Sequence, residues 1–125
     1  MLKRSSVTLF QRLLPVVASL MGATGVALGA VAAHREGAGN LGVASSFLLF
    51  HAPAILALAV LAPRSRLIRV AQIGLVLGTV LFSGALTLGV LAGLHLQPSP
   101  APLGGALMLV AWLVAAVAFS AGPKS

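Results

Sequence analysis

Residues 41–62 read LGVASSFLLFHAPAILALAVLA, an apolar run with one ionisable side chain, His51, near its middle. In hydrocarbon a backbone must satisfy its own polar groups, so a run of this length is read as a spanning helix. Its helical part is expected at about 43–62, after the breaker cluster Gly37, Gly39, Asn40 and Gly42 and before Pro63 and Arg64. Three further runs of the same kind lie at about 13–33, 67–94 and 102–121, separated by short connections. The apolar content is 59% and the charged content 7%, with a mean hydropathy of +1.10, which places the 125-residue chain in a bilayer rather than in water. The expected architecture is therefore an all-α integral membrane four-helix bundle, one domain over residues 1–125.

Charge sets the expected orientation. The net charge is +7, from eight basic residues and one acid. Lys3, Arg4 and Arg12 precede the first run, Arg64, Arg66 and Arg69 lie between the second and third, and Lys124 follows the fourth. Four crossings put these seven on one side, with only Arg35 on the other beside Glu36, so the positive-inside rule predicts that both termini are cytoplasmic. The basic residues lack the aromatic or Gly-rich surroundings of a nucleic-acid site, and no nucleic-acid partner is expected. The segment 1–12 is basic and free of acid, like the start of a signal peptide or an organellar presequence. The following run of about 21 residues exceeds the roughly 7 to 15 of a signal-peptide core, which favours retention as a membrane helix. The expected location is the cell inner membrane, with the mitochondrial inner membrane as the alternative.

Small residues are the expected means of association, because apolar helices gain nothing by leaving lipid for one another except close packing and polar contacts. The first run carries Ala18, Gly22, Gly25, Gly29 and Ala32 at alternating spacings of four and three, along one helical face. Gly74 with Gly78, and Gly89 with Gly93, form two small-xxx-small pairs in the third run, which also holds Gly84. Gly104 and Gly105 are expected to serve the fourth in the same way. Pro15 and Pro102 are placed in first helical turns, where a missing donor is harmless.

Few residues are available for chemistry. The absence of cysteine excludes disulfides, thiolate metal sites and cysteine nucleophiles. No phosphate loop, nucleophile elbow or His-Glu-x-x-His pattern occurs, which leaves hydrolytic and nucleotide chemistry without residues and makes an enzyme unexpected. His51, expected roughly 12 Å deep from the outer end of its helix, must be neutral and hydrogen-bonded. Counting inward from the outer helix ends places Ser83 at a similar depth, which makes it the expected partner of His51. Trp112, near mid-membrane, needs an acceptor for its indole N–H. Haem or metal ligation by His34 together with His51 is disfavoured, because their depths differ by roughly a dozen Å in regular helices, and no cofactor is expected.

The motifs Gly29-Ala-Val-Ala-Ala-His34, Phe47-Leu-Leu-Phe-His51-Ala52, Leu81-Phe82-Ser83-Gly84, Pro102-Leu-Gly104-Gly105 and Ala111-Trp112 occur in this order. In these motifs the chain resembles the small four-helix membrane family catalogued as domain of unknown function 423, whose relatives include transmembrane protein 256. The resemblance runs from about residue 22 to 118 and marks His34, His51, Ser83, Gly84, Gly104, Gly105 and Trp112 as family-motif positions. It departs where the family has Tyr-Gln before its second histidine and this chain has Phe47-Leu48, which removes a polar partner from the second helix. The resemblance implies a four-helix membrane fold and no established activity. A non-catalytic accessory or assembly component, acting with copies of itself or within a larger membrane complex, is the expected function. A small transporter or proton-handling protein using His51 and Ser83 is the alternative, opposed by the lack of any carboxylate within a helix.

Overall fold

A computed structural model describes residues 9–122, and Lys3, Arg4 and Lys124, assigned above to one side of the membrane, lie outside that range. Four helices follow one another: α1 (Leu9–Ala33), α2 (Gly39–Leu61), α3 (Arg66–Leu91) and α4 (Ala101–Ser120). Each is long and apolar enough to cross a membrane. Their outward faces carry large apolar side chains such as Leu20, Phe50, Val60 and Leu113, an arrangement that water would not tolerate and lipid requires. The chain is a multi-pass membrane protein.

Several helix ends differ from the sequence expectation. The first helix is already formed at Leu9, the first described residue and a turn before the expected start, so Arg12 lies within it and Pro15 stands beyond its first turn. The second begins at Gly39, because the glycine cluster forms its opening turn, with Leu41 and Gly42 N–H groups donating to the Ala38 carbonyl. At the other boundary of that helix Pro63 follows its end, and Ser65 caps α3 by accepting from the Ile68 N–H at 3.2 Å. The third helix stops at Leu91, three residues early, where Gly93 takes a positive φ of 67° and Leu94 N–H turns back onto the Leu88 carbonyl.

The principal helix contacts join α1 to α2, α2 to α3 and α3 to α4. The central pair, α2 and α3, holds every buried polar residue among those described: Ser45 and His51 on α2, and Gln72, Thr79 and Ser83 on α3. On α1 the buried line is Leu14, Ala18, Met21, Gly25 and Leu28, again at spacings of four and three.

The expected glycine packing divides in two. Gly25, Gly29, Gly74, Gly78 and Gly104 are true close approaches: a methyl group on any of them would come within 3.0 Å of a neighbouring helix. Gly22 makes ordinary contact with Ala52. Gly84 and Gly105 face nothing within 4 Å, Gly93 is a loop residue with positive φ, and Gly89 meets the His95 imidazole of the following loop instead of a helix. These four are not helix-packing positions within the chain, because the register of the bundle turns them away from the neighbouring backbones.

Candidate functional site

The polar centre is built from side chains on the facing surfaces of α2, α3 and α4. Trp112 Nε1–H donates to His51 Nε2 at 3.0 Å, and His51 Nδ1 lies 2.8 Å from the Phe47 carbonyl one turn back in α2. Indole N–H is a donor only, so Nε2 must offer its lone pair. The ring proton therefore sits on Nδ1 and is donated to Phe47. Both nitrogens of the imidazole are spent inside the chain. Aromatic packing extends the pair: Phe47 stacks parallel to the imidazole at 5.9 Å between centroids, and Phe82 of α3 tilts onto Phe47 at 4.6 Å.

Ser83 does not meet His51. Its hydroxyl donates across the helix interface to the Ala44 carbonyl at 2.9 Å, while Gln72 Nε2 donates to the Ile55 carbonyl at 3.0 Å. The step from Ala44 to Ile55 is 11 residues forward along α2, and that from Ser83 to Gln72 is 11 residues back along α3, so both bonds obey one antiparallel register. By that register His51 lies level with Val76. Ser83 lies seven residues further toward the α1–α2 turn, level with Ala44, or roughly 10 Å away along the axis. The expected His51–Ser83 pair is thus replaced by His51–Trp112.

Ser45 and Gln72 carry interhelical bonds that the sequence reading did not single out. Ser45 Oγ donates to the Gly25 carbonyl of α1 at 2.6 Å, and its position explains why Gly29, one turn on, must lack a side chain. Gln72 was visible as the one amide inside a spanning run, and a long polar side chain in lipid is itself a reason to look for an acceptor. Thr79 contrasts with them. It is fully buried, and its Oγ1 is the one buried side-chain polar atom without a partner among the described residues. Removing an unsatisfied hydroxyl while keeping the shape relieves a desolvation cost. Thr79→Val is accordingly expected to match or exceed the wild type in stability by up to about 1 kcal/mol, read as the midpoint of unfolding in mixed micelles.

His34 is exposed in the turn after α1, whereas His51 is buried at the centre of α2, and the fold does not bring them together. Among the described residues no group of three or more histidine, cysteine or acidic side chains gathers into a metal-binding cluster. At the end of the bundle that carries the α1–α2 turn, Arg35 reaches 3.2 Å to the Val90 carbonyl in the last turn of α3, a favourable place for a cation at a helix C-terminus. That contact closes one wall of a recess of about 450 Å³ shared with Asn40, His95 and Gln97.

A protein family model described as "Protein of unknown function (DUF423)" matches residues 27–105, well over half of the chain. The chain belongs to the DUF423 family. The match takes in the end of α1, all of α2 and α3, and the opening of α4 through Gly105, a narrower span than the motif resemblance. Within it lie His34, His51, Ser83, Gly84, Gly104 and Gly105, whereas Trp112, the partner of His51, lies beyond it. No curated protein and no solved structure matches the chain.

Proposed function

We propose that this DUF423 member is a non-catalytic accessory or assembly component of an inner membrane, with both termini cytoplasmic. One observation carries the reading: the midplane histidine has both ring nitrogens engaged by Trp112 and Phe47. A proton relay or transport site needs an ionisable group that faces a cavity or a second titratable group. The hydroxyl and amide groups of Ser45, Ser83 and Gln72 are likewise committed to backbone carbonyls of neighbouring helices. Polar groups used in this way hold helices together, which suits a packing role and weighs against a transporter acting through His51 and Ser83. The orientation is supported by Arg12, Arg64, Arg66 and Arg69 at one end of the bundle against Arg35 at the other.

Native mass spectrometry of the chain extracted with its own lipids tests the role. Stoichiometric additional polypeptide, or whole multiples of the 12.5 kDa chain, is the expected result. A lone chain that carries a solute or proton flux abolished by His51→Leu would overturn the proposal in favour of transport. A reporter enzyme fused after Lys124 is expected to read cytoplasmic, and a reading on the opposite side would reverse the orientation.

A further inference from the structure

At the end of the bundle where α2 turns into α3, the connecting residues and the last turn of α4 border a groove of about 580 Å³. Leu61, Ile68, Phe119 and Ala121 give it apolar walls, and Arg64 and Arg66 stand among its lining residues. Both arginines are exposed. The single acid of the whole chain, Glu36, is in the α1–α2 turn at the opposite end, the length of α2 away, or roughly 35 Å for its 23 residues at helical rise. No acidic side chain is therefore within reach of the two guanidinium groups, and neither forms an ion pair among the described residues.

The groove lies where two spanning helices and the start of a third leave the hydrocarbon, so its natural neighbours are lipids. Apolar walls fit an acyl chain, and planar guanidinium donors fit phosphate oxygens two at a time. A zwitterionic headgroup would bring its own cation into a site that already holds two unpaired positive charges. We infer that this groove binds an anionic phospholipid, its phosphate held by Arg64 and Arg66 and one acyl chain lying along Leu61, Ile68 and Phe119. The lipid is a structural ligand that covers the seam between the α2–α3 turn and α4. This goes beyond the accessory role, and it holds whichever way the chain is inserted.

The test uses the full chain in detergent micelles, titrated with phosphatidylglycerol or phosphatidylcholine of identical acyl chains, with bound lipid counted by native mass spectrometry. Phosphatidylglycerol is expected to be retained selectively. The R64Q/R66Q variant is expected to bind it about thirtyfold more weakly, from roughly fivefold per basic residue near an anionic surface. R12Q, a change outside the groove, is expected to leave binding within twofold. Ala121→Trp keeps every charge but sets an indole in the groove, and it is expected to reduce lipid retention as well. Equal retention of the two lipids, or unchanged binding by R64Q/R66Q, would overturn the inference. Full retention by Ala121→Trp would show unspecific surface attraction, and displacement by millimolar inorganic phosphate would show a bare anion site. Either result would also overturn it. Melting of the arginine variants at the wild-type temperature checks that these exposed positions leave the fold intact.

Discussion

Gly104→Ala is expected to destabilise the protein by about 1–3 kcal/mol, while Gly105→Ala, one residue along the same helix, is expected to leave stability unchanged or raise it by up to about 1 kcal/mol. The contrast follows from the α3–α4 interface. A methyl group on Gly104 would stand 2.5 Å from the Phe82 backbone nitrogen and 2.6 Å from the Gly78 carbonyl oxygen. Both obstacles are backbone, which cannot rotate away as a side chain can, so the two helices must separate. Separation loosens Gly78 against Met108 and Gly74 against Ala111 along the same seam. In lipid that loss is not offset by any hydrophobic return, since the exposed surface meets acyl chains as apolar as the partner helix. At Gly105 nothing lies within 4 Å of the added carbon, and alanine has the better helix propensity. Midpoints of unfolding by sodium dodecyl sulfate, followed by circular dichroism, measure both. Equal midpoints for the two variants would show that α3 and α4 do not approach as closely as this geometry requires.

The second large effect is expected at the His51–Trp112 bond. His51→Leu leaves the indole N–H without its acceptor and removes the donor to Phe47, a cost of about 1–3 kcal/mol for newly unpaired groups. Trp112→Phe is expected to cost less, because Trp112 is 43% exposed and part of its ring already faces lipid. The double variant should be more stable than the sum of the two single losses implies, by about 0.6 kcal/mol, the average for interhelical hydrogen bonds in lipid, and by no more than about 1.7 kcal/mol. His51→Leu and Ser83→Ala, by contrast, should simply add, since Ser83 bonds to Ala44 well away from the imidazole. Trp112 is the single tryptophan, so its emission also reads the bond: His51→Leu is expected to shift it to shorter wavelength as the indole loses its hydrogen-bond acceptor. Strict additivity of His51→Leu with Trp112→Phe would dissolve the pair.

Most of the architecture was legible in the sequence, because the bilayer imposes it. Runs of about 20 apolar residues must be helices in lipid, and the Pro, Gly and Arg clusters between them mark the turns with little ambiguity. Gly25, Gly29, Gly74, Gly78 and Gly104 were readable as close approaches for the same reason. The partner of His51 was not. Depth was counted from expected helix ends at residues 43 and 94, whereas α2 begins at Gly39 and α3 ends at Leu91. From the true ends His51 is 12 residues into α2, and Ser83 is only eight from the end of α3, which separates them by a full helical turn or more. Hydropathy cannot locate such ends, since the glycine-rich opening of α2 and the Leu-rich loop after α3 each score against their actual state. The azimuth of each helix was equally hidden. Gly84 and Gly105 carry the same composition signal as Gly78 and Gly104, and only the packed arrangement shows which pair faces a neighbour.

Three of the interhelical bonds, from Ser45, Ser83 and Gln72, end on backbone carbonyls of Gly25, Ala44 and Ile55. A carbonyl is present whatever side chain its residue bears, so these bonds place no demand of their own on the accepting residues; Gly25 is held instead by its close approach to Leu48 and Leu49. Paired substitution therefore leaves no trace of these three contacts, however tightly they bind the helices. The bond between His51 and Trp112 is of another kind, because each side depends on a particular side chain. Among relatives it is the contact whose two positions should change together, with loss of the imidazole accompanied by loss of the indole.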